Sequence, residues 1–167
     1  LTQIFRQAAE SRIITNAHCI NEGQMPVLKT EKDRRYDFYF MEADEPEDVV
    51  SALIKIVTER IPEKFSFDPV KDIQVITPMN RSGLGAHALN EELQKVLNPP
   101  HGEELRRFGS TFRVGDKVMQ IENNYDKEVF NGDIGFIDSI DSIENTVTIM
   151  FDGREVEYDY GELDEIV

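Results

Sequence analysis

The sequence predicts an α/β lobe followed by a small antiparallel β-barrel, and three observations carry that expectation. In the first part of the chain, short apolar runs alternate with amphipathic helical patterns, the signature of βαβ units. Near residue 106 the pattern becomes short strand-like runs split by turn dipeptides, which suits a small barrel. The charge divides at the same place. Residues 1–105 hold 12 basic and 18 acidic side chains, net −6, and residues 106–167 hold 6 and 15, net −9.

Each element follows from local chemistry. Residues 1–23 read as helical, with Ser11 as an N-cap, Ile13, Ile14, Ala17 and Ile20 at helical spacing, and Gly23 as the stop. Tyr36-Asp-Phe-Tyr-Phe-Met41 reads as a strand. Asp44-Glu-Pro-Glu-Asp48 opens a helix, because proline suits a first turn and acids suit the positive end of the helix dipole. Val49, Val50, Leu53, Ile54, Val57 and Ile61 give that helix a broad apolar face. Ile73-Gln-Val-Ile-Thr77, bounded by Asp72 and Pro78, reads as a buried strand of the parallel kind. Gly83-Leu-Gly85 leads into a further helix that ends near Leu97, before Asn98-Pro-Pro100.

In the β module, Val114, Val118, Ile121, Val129, Ile134, Phe136, Val147, Ile149 and Phe151 fall in short runs. They are separated by Gly115-Asp116, Asn123-Asn124, Asn131-Gly132 and Asp152-Gly153, and the last two are favourable tight-turn dipeptides.

Composition narrows the function classes. The chain has 167 residues, 40% hydrophobic and 31% charged, enough to bury a core without a staple. A single cysteine, Cys19, excludes an internal disulfide and a cysteine-rich zinc site, and fits a reducing, cytoplasmic setting. With 18 basic and 33 acidic residues the net charge is −15, so the chain as a whole repels nucleic acid and anionic membranes. No secretory leader pattern is present, and Val49–Val57, the longest near-apolar stretch, is too short to span a bilayer. The three histidines, His18, His87 and His101, lack metal-ligand spacing, and no GxxxxGK[ST] phosphate loop occurs. No metal site is expected.

Three segments are more specific. They are Leu1-Thr-Gln-Ile-Phe-Arg-Gln-Ala8, then Val75-Ile-Thr-Pro-Met-Asn-Arg-Ser-Gly-Leu-Gly-Ala-His-Ala-Leu-Asn-Glu-Glu-Leu-Gln94 with Asn98-Pro99, and then Phe112-Arg-Val-Gly-Asp-Lys-Val-Met-Gln-Ile-Glu-Asn-Asn-Tyr125 with Val129-Phe-Asn-Gly-Asp-Ile-Gly135. In this order they resemble the second motor domain of RecD-type superfamily 1 DNA helicases, the exodeoxyribonuclease V alpha-chain and TraA-like group. The resemblance implies a partial RecA-like motor lobe over residues 1–105. Residues 106–167 would be an inserted SH3-like β-barrel with the start of the return to the motor lobe.

The resemblance also implies roles. Arg6 matches the motif arginine that reaches the γ-phosphate of ATP, a task suited to a permanently charged, two-pronged guanidinium. Gln7 would support it. The resemblance implies ATP and Mg2+ in the parent enzyme, with the phosphate loop and the acidic magnesium motif in a first motor domain outside this sequence. It implies single-stranded DNA as partner, no membrane, and a role in DNA recombination and repair, and it leaves open whether the parent joins nuclease-complex subunits or acts alone.

Asn80, Arg81 and Ser82 follow the expected strand and precede a helix, where open α/β sheets place ligands. In the barrel, Arg113, Lys117, Asn123, Asn124 and Asn131 are the candidate DNA-facing groups. Glu122, Asp126 and Glu128 lie among them and oppose a phosphate backbone, while Tyr125 and Phe130 are either stacking platforms or core. A second reading stays open. Val114-Gly-Asp-Lys-Val118 with Asn131-Gly-Asp-Ile-Gly135 also resembles KOW-like and other small SH3-like barrels. Those would make the chain a stand-alone, non-enzymatic module for a protein or RNA partner.

Overall fold

The computed structural model describes residues 11–29 and 36–167. The chain divides into two units, Leu1–Asp44 and Glu45–Val167.

In the first unit, helix α1 spans Arg12–Asn21 and starts as expected, with Ser11 Oγ accepting the Ile14 N–H at 3.3 Å. Gly23, at φ 74°, ends it in the left-handed conformation that only glycine adopts freely. Asn16 is buried and bonds both backbone groups of Val27, whose N–H reaches its Oδ1 at 2.9 Å. Asp37 accepts the Arg12 N–H at 2.8 Å and the Ser11 hydroxyl.

In the second unit, α2 spans Pro46–Lys55 with Pro46 in its first turn, as the sequence predicts. The helix then widens into a π-helical turn over Ile56–Arg60 before α3, Ile61–Phe65. The cause is Pro62: it has no N–H to give and its ring would strike the carbonyl four residues back, so the preceding turn opens. Helix α4, Ala86–Leu97, is capped by Gly85 and packs on α2. A Cβ at Gly85 would lie 2.7 Å from the Arg81 backbone, so the turn before α4 closes only around glycine. Among the described residues, no helix is long and apolar enough to cross a membrane.

Two expected strands are absent. Tyr36–Met41 and Ile73–Thr77 make no ladder with any described residue. A strand exists only by pairing in a ladder, and an apolar run that joins no ladder stays as extended coil. Ile76 is accordingly 89% exposed. The lobe before the barrel is therefore helical and irregular among the described residues, and the regular β structure is all antiparallel.

The barrel is built from a hairpin and a meander. Strands β1 (Glu104–Arg107) and β2 (Ser110–Arg113) pair in the hairpin, while β3 (Lys117–Met119), β4 (Ile134–Asp141), β5 (Thr146–Phe151) and β6 (Arg154–Asp159) follow as neighbours in order. The C-terminal segment then returns to the free edge of β3. Met119 and Val167 exchange both backbone bonds, at 2.7 and 3.0 Å, and Gln120 bridges Ile166. This return covers an edge that would otherwise expose unpaired amides. Asp152-Gly153 forms the two-residue turn between β5 and β6, with φ 45° and 80° as a type I′ turn requires.

Alternation along β5 and β6 sends Val147, Ile149, Phe151, Val156 and Tyr158 inward, where they meet Phe112, Val118, Val129, Ile137, Leu163 and Ile166. Ile121 and Ile134, read as strand residues, remain partly exposed. One polar network sits inside. The fully buried Gln120 accepts the Tyr158 hydroxyl at 2.9 Å and donates to Glu165 at 2.9 Å. Burial, with Glu165 and Glu162 nearby, pushes the Tyr158 phenol up to about 12, so it stays a donor throughout the physiological range.

Gly135 lies where the sheet is tightest. A Cβ there would sit 2.7 Å from Ile149 Cγ2 and 2.8 Å from the Phe151 ring. We expect Gly135→Ala to destabilise the chain by about 2 kcal/mol through overpacking, read as a lower urea midpoint. An unchanged midpoint would mean that β4 can shift away from β5.

Candidate nucleic-acid interface

The structure treats the predicted site residues very differently. Arg6 and Gln7 lie outside the described residues. Asn80, Arg81 and Ser82 form an exposed bend between Thr77 and α4. Thr77 Oγ1 donates to the Leu84 carbonyl at 2.8 Å, the Ala86 N–H bonds the Met79 carbonyl at 2.9 Å, and the Gly85 N–H bonds the Ser82 carbonyl at 3.0 Å. The bend is thus pinned on its own backbone and turns the Arg81 side chain to solvent.

Arg113 is not available to a ligand. It is only 8% exposed, and its guanidinium donates to Glu104 Oε2 at 3.1–3.2 Å and to the Asn98 carbonyl at 3.1 Å. Lys117 is also turned inward, with Nζ 2.7 Å from the Ile73 carbonyl. Burial pushes its ammonium below the ordinary lysine value, and the nearby Asp68 and Asp72 hold it up. Both cations therefore attach the barrel to the segment before it: Arg113 reaches the end of α4, and Lys117 reaches the run read as a strand. Their basic character within the β module gave the sequence signal, but which way each side chain turns depends on burial.

The asparagines also bond within the protein. Asn123 Oδ1 accepts the Asn131 N–H at 2.9 Å, and Asn124 donates to Glu165 at 3.1 Å. These contacts bring Asn123 and Asn131 together and shape the β3–β4 loop, which presents Tyr125 and Phe130 as an edge-to-face pair with centroids 5.8 Å apart. Tyr125 is 74% exposed, so this pair is surface rather than core. Glu122, Asp126 and Glu128 are exposed around it. Arg154 is spent on Glu128 and on the Lys127 and Glu128 carbonyls. An arrangement so acidic repels a phosphate backbone.

The residues that sequence reasoning missed sit at the junction of α4 and the barrel. Asp116 accepts Gln94 Nε2 at 2.6 Å, Asn98 Nδ2 at 2.7 Å and the Arg113 N–H at 2.7 Å. Gln94 also donates to the Thr111 carbonyl, and Asn98 to the Val114 carbonyl. Burial raises the Asp116 carboxyl above its ordinary value despite these donors. Glu104 behaves oppositely: Arg113 and then Arg106 hold its carboxyl below the usual glutamate value. Gln94, Asn98 and Asp116 all lie inside the motifs quoted above, but no spacing rule marks them as partners.

Comparison with known proteins agrees with this junction being one unit. Residues 89–151, from within α4 to the end of β5, match the family described as the ATP-dependent RecD-like DNA helicase SH3 domain. Nearly the whole chain, 98% of it, is 32% identical over 163 residues to the ATP-dependent RecD2 DNA helicase of Deinococcus radiodurans. The chain spans 21% of that helicase. Among solved structures, unliganded Pif1 from Bacteroides sp. is similar at 30% identity over 29% of this chain and 16% of the other, with a TM-score of 0.27. A second Pif1 structure, of two helicases coordinating at forked double-stranded DNA, is similar over 29% of this chain and 12% of the other, again with a TM-score of 0.27. The likeness to RecD-type helicases extends along nearly all of this chain and includes its SH3-like β module.

Two outcomes test the junction. Asn98→Ala should destabilise the chain by about 2 kcal/mol, because the Val114 carbonyl and Asp116 each lose a donor. Glu104→Gln should lower the urea midpoint at pH 7. A carboxyl held low by Arg113 stabilises above its unfolded value and loses that contribution as pH falls through the folded one. The deficit should therefore shrink below pH 4.5, the ordinary glutamate value. A deficit constant down to pH 3 would remove Glu104 from the ion pair.

Proposed function

We propose, on the premise of that likeness to RecD-type helicases, that this chain is part of an ATP-dependent DNA helicase. In this reading the helicase couples ATP hydrolysis to movement on single-stranded DNA in recombination and repair. The observation that carries the reading is the 32% identity sustained over 98% of the chain. Residues 1–105 would form part of the second RecA-like motor lobe. Residues 106–167 would form the inserted SH3-like barrel with the start of the return to that lobe.

ATP with Mg2+ would bind between this lobe and a first motor lobe that holds the main phosphate and magnesium ligands. Arg6 would reach across to the γ-phosphate, where a fixed guanidinium stabilises the charge that develops during phosphoryl transfer, and Gln7 would support it. Asn80, Arg81 and Ser82 suit backbone phosphate contact, since they stand exposed on a bend whose shape is held by its own hydrogen bonds. Asn123 and Asn131 would serve DNA only through the exposed face of the β3–β4 loop. Arg113, Lys117 and Asn124 would act by holding the barrel in place. The cytoplasm is the compartment we infer, with nuclease-complex subunits as further partners.

This chain alone should hydrolyse no ATP above background, and DNA-stimulated hydrolysis by the 167-residue chain would sink the reading. In a full-length helicase carrying this segment, Arg6→Ala should reduce turnover by about 10³-fold while sparing nucleotide binding. Unchanged turnover would take Arg6 out of the site.

A further inference from the structure

The β1–β2 hairpin is a basic exception in an acidic module. The hairpin Glu104–Arg113 holds three arginines and one acid, Glu104, which pairs Arg113 and Arg106, whereas residues 106–167 hold 15 acids. Its turn, Phe108-Gly109, joins Arg107 to the cross-strand partner Ser110. The two turn residues have φ 51° and 82°, as a two-residue type I′ turn demands. Glycine meets that demand freely. A bulky phenylalanine does not, and asparagine is the residue such a turn prefers at its first position. Packing does not offset the strain, because Phe108 is 60% exposed, while Phe112 on the same hairpin is 4% exposed. A strained aromatic held out in solvent points to a role outside the fold.

The neighbours of Phe108 suggest what that role is. Arg106 and Arg107 precede it on alternate faces of the strand. The Arg106 side chain is 77% exposed and meets Glu104 at 3.0 Å. The Arg107 guanidinium lies 5.4 Å from the centre of the Tyr160 ring. An open cavity of about 350 Å³ follows the tip, lined by Arg106, Arg107, Phe108, Gly109, Ser110 and Thr111. An exposed ring that follows two exposed arginines along the chain, all three lining one concavity, suits a base flanked by phosphates. The acids elsewhere on the module repel a phosphate backbone and leave this tip as its point of approach.

We propose that the Arg106-Arg107-Phe108 tip contacts a single nucleic-acid strand, with Phe108 stacked on a base and the two arginines on the flanking phosphates. Only the identity of that strand as DNA rests on the helicase reading above.

The chain contains no tryptophan, so Phe108→Trp places its one tryptophan, excited selectively over the tyrosines, at the tip. Titration with oligothymidylate at low salt should quench its emission saturably, and added salt should reverse the quenching. Phe108→Asn separates binding from folding. It should raise Tm by about 4 °C, because Asn-Gly suits the turn. It should also weaken binding of fluorescein-labelled oligothymidylate about tenfold, the loss expected for one stacked base. Replacing both arginines with alanine should flatten the slope of log K against log salt by roughly 1.4.

Tip emission indifferent to oligothymidylate, or Phe108→Asn binding it as tightly as the parent, overturns the proposal. The titrations contain no ATP, so they read the tip apart from the motor. Quenching at the tip in a full-length protein without ATPase activity would overturn only the helicase reading. An active ATPase with a silent tip would overturn only this one.

Discussion

The second unit depends on one carboxylate. Asp116, just before β3, gathers donors from the end of α4 and from β2, so helix and barrel share a single polar joint. Burying a carboxylate is costly, and Asp116 shows that cost in its raised proton affinity. Three short hydrogen bonds to the charged form make the burial tolerable. Arg113 completes the joint by binding the Asn98 carbonyl, one of the acceptors that a helix C-terminus leaves over. Its other face meets Glu104, so the hairpin is held by the same side chain. Helix end, hairpin and meander thereby take one mutual arrangement.

The barrel solves a different problem. A short meander leaves β3 at an edge, and the C-terminal residues close it by backbone pairing with Met119 and Ile121. The closure is specific because Gln120 and Tyr158 place complementary polar atoms inside an otherwise apolar core. A slip of one residue would bury those atoms unpaired and turn the apolar face outward. The core can be small because its polar content is fully satisfied: among the described residues no buried side-chain polar atom lacks a partner.

Electrostatics then sorts the basic residues. In a module with so many acids, most cations find a carboxylate or a carbonyl at home: Arg113 and Arg154 are engaged, and Lys127 meets Glu162 at 3.0 Å. Residue type alone could not separate these from cations free for a ligand. Arg113 and Lys117 looked like phosphate contacts because they are basic and sit in a strand-rich segment, yet both are consumed in packing the barrel on what precedes it. Arg81 is exposed, and at the hairpin tip Arg106 meets Glu104 yet keeps 77% of its side chain exposed.

Much of the architecture was legible in the residues. Ser11 and Gly23 mark the limits of α1, Pro46 marks the start of α2, Gly85 and Asn98 bracket α4, and Asp152-Gly153 announces the last hairpin. These signals are local: each depends on the φ a residue can adopt or on a hydrogen bond within one turn, so sequence alone determines them. The helicase likeness was legible for the same reason, since its motifs are contiguous. What only the tertiary structure decided is non-local. Tyr36–Met41 and Ile73–Thr77 have strand-like composition, but pairing needs a partner elsewhere in the chain, and no described residue supplies one. The Asp116 joint links residues up to 22 positions apart and the Gln120 network residues up to 45 apart, separations at which no periodicity survives. Burial decides whether an arginine is a ligand contact or a rivet, and burial is a property of the assembled fold.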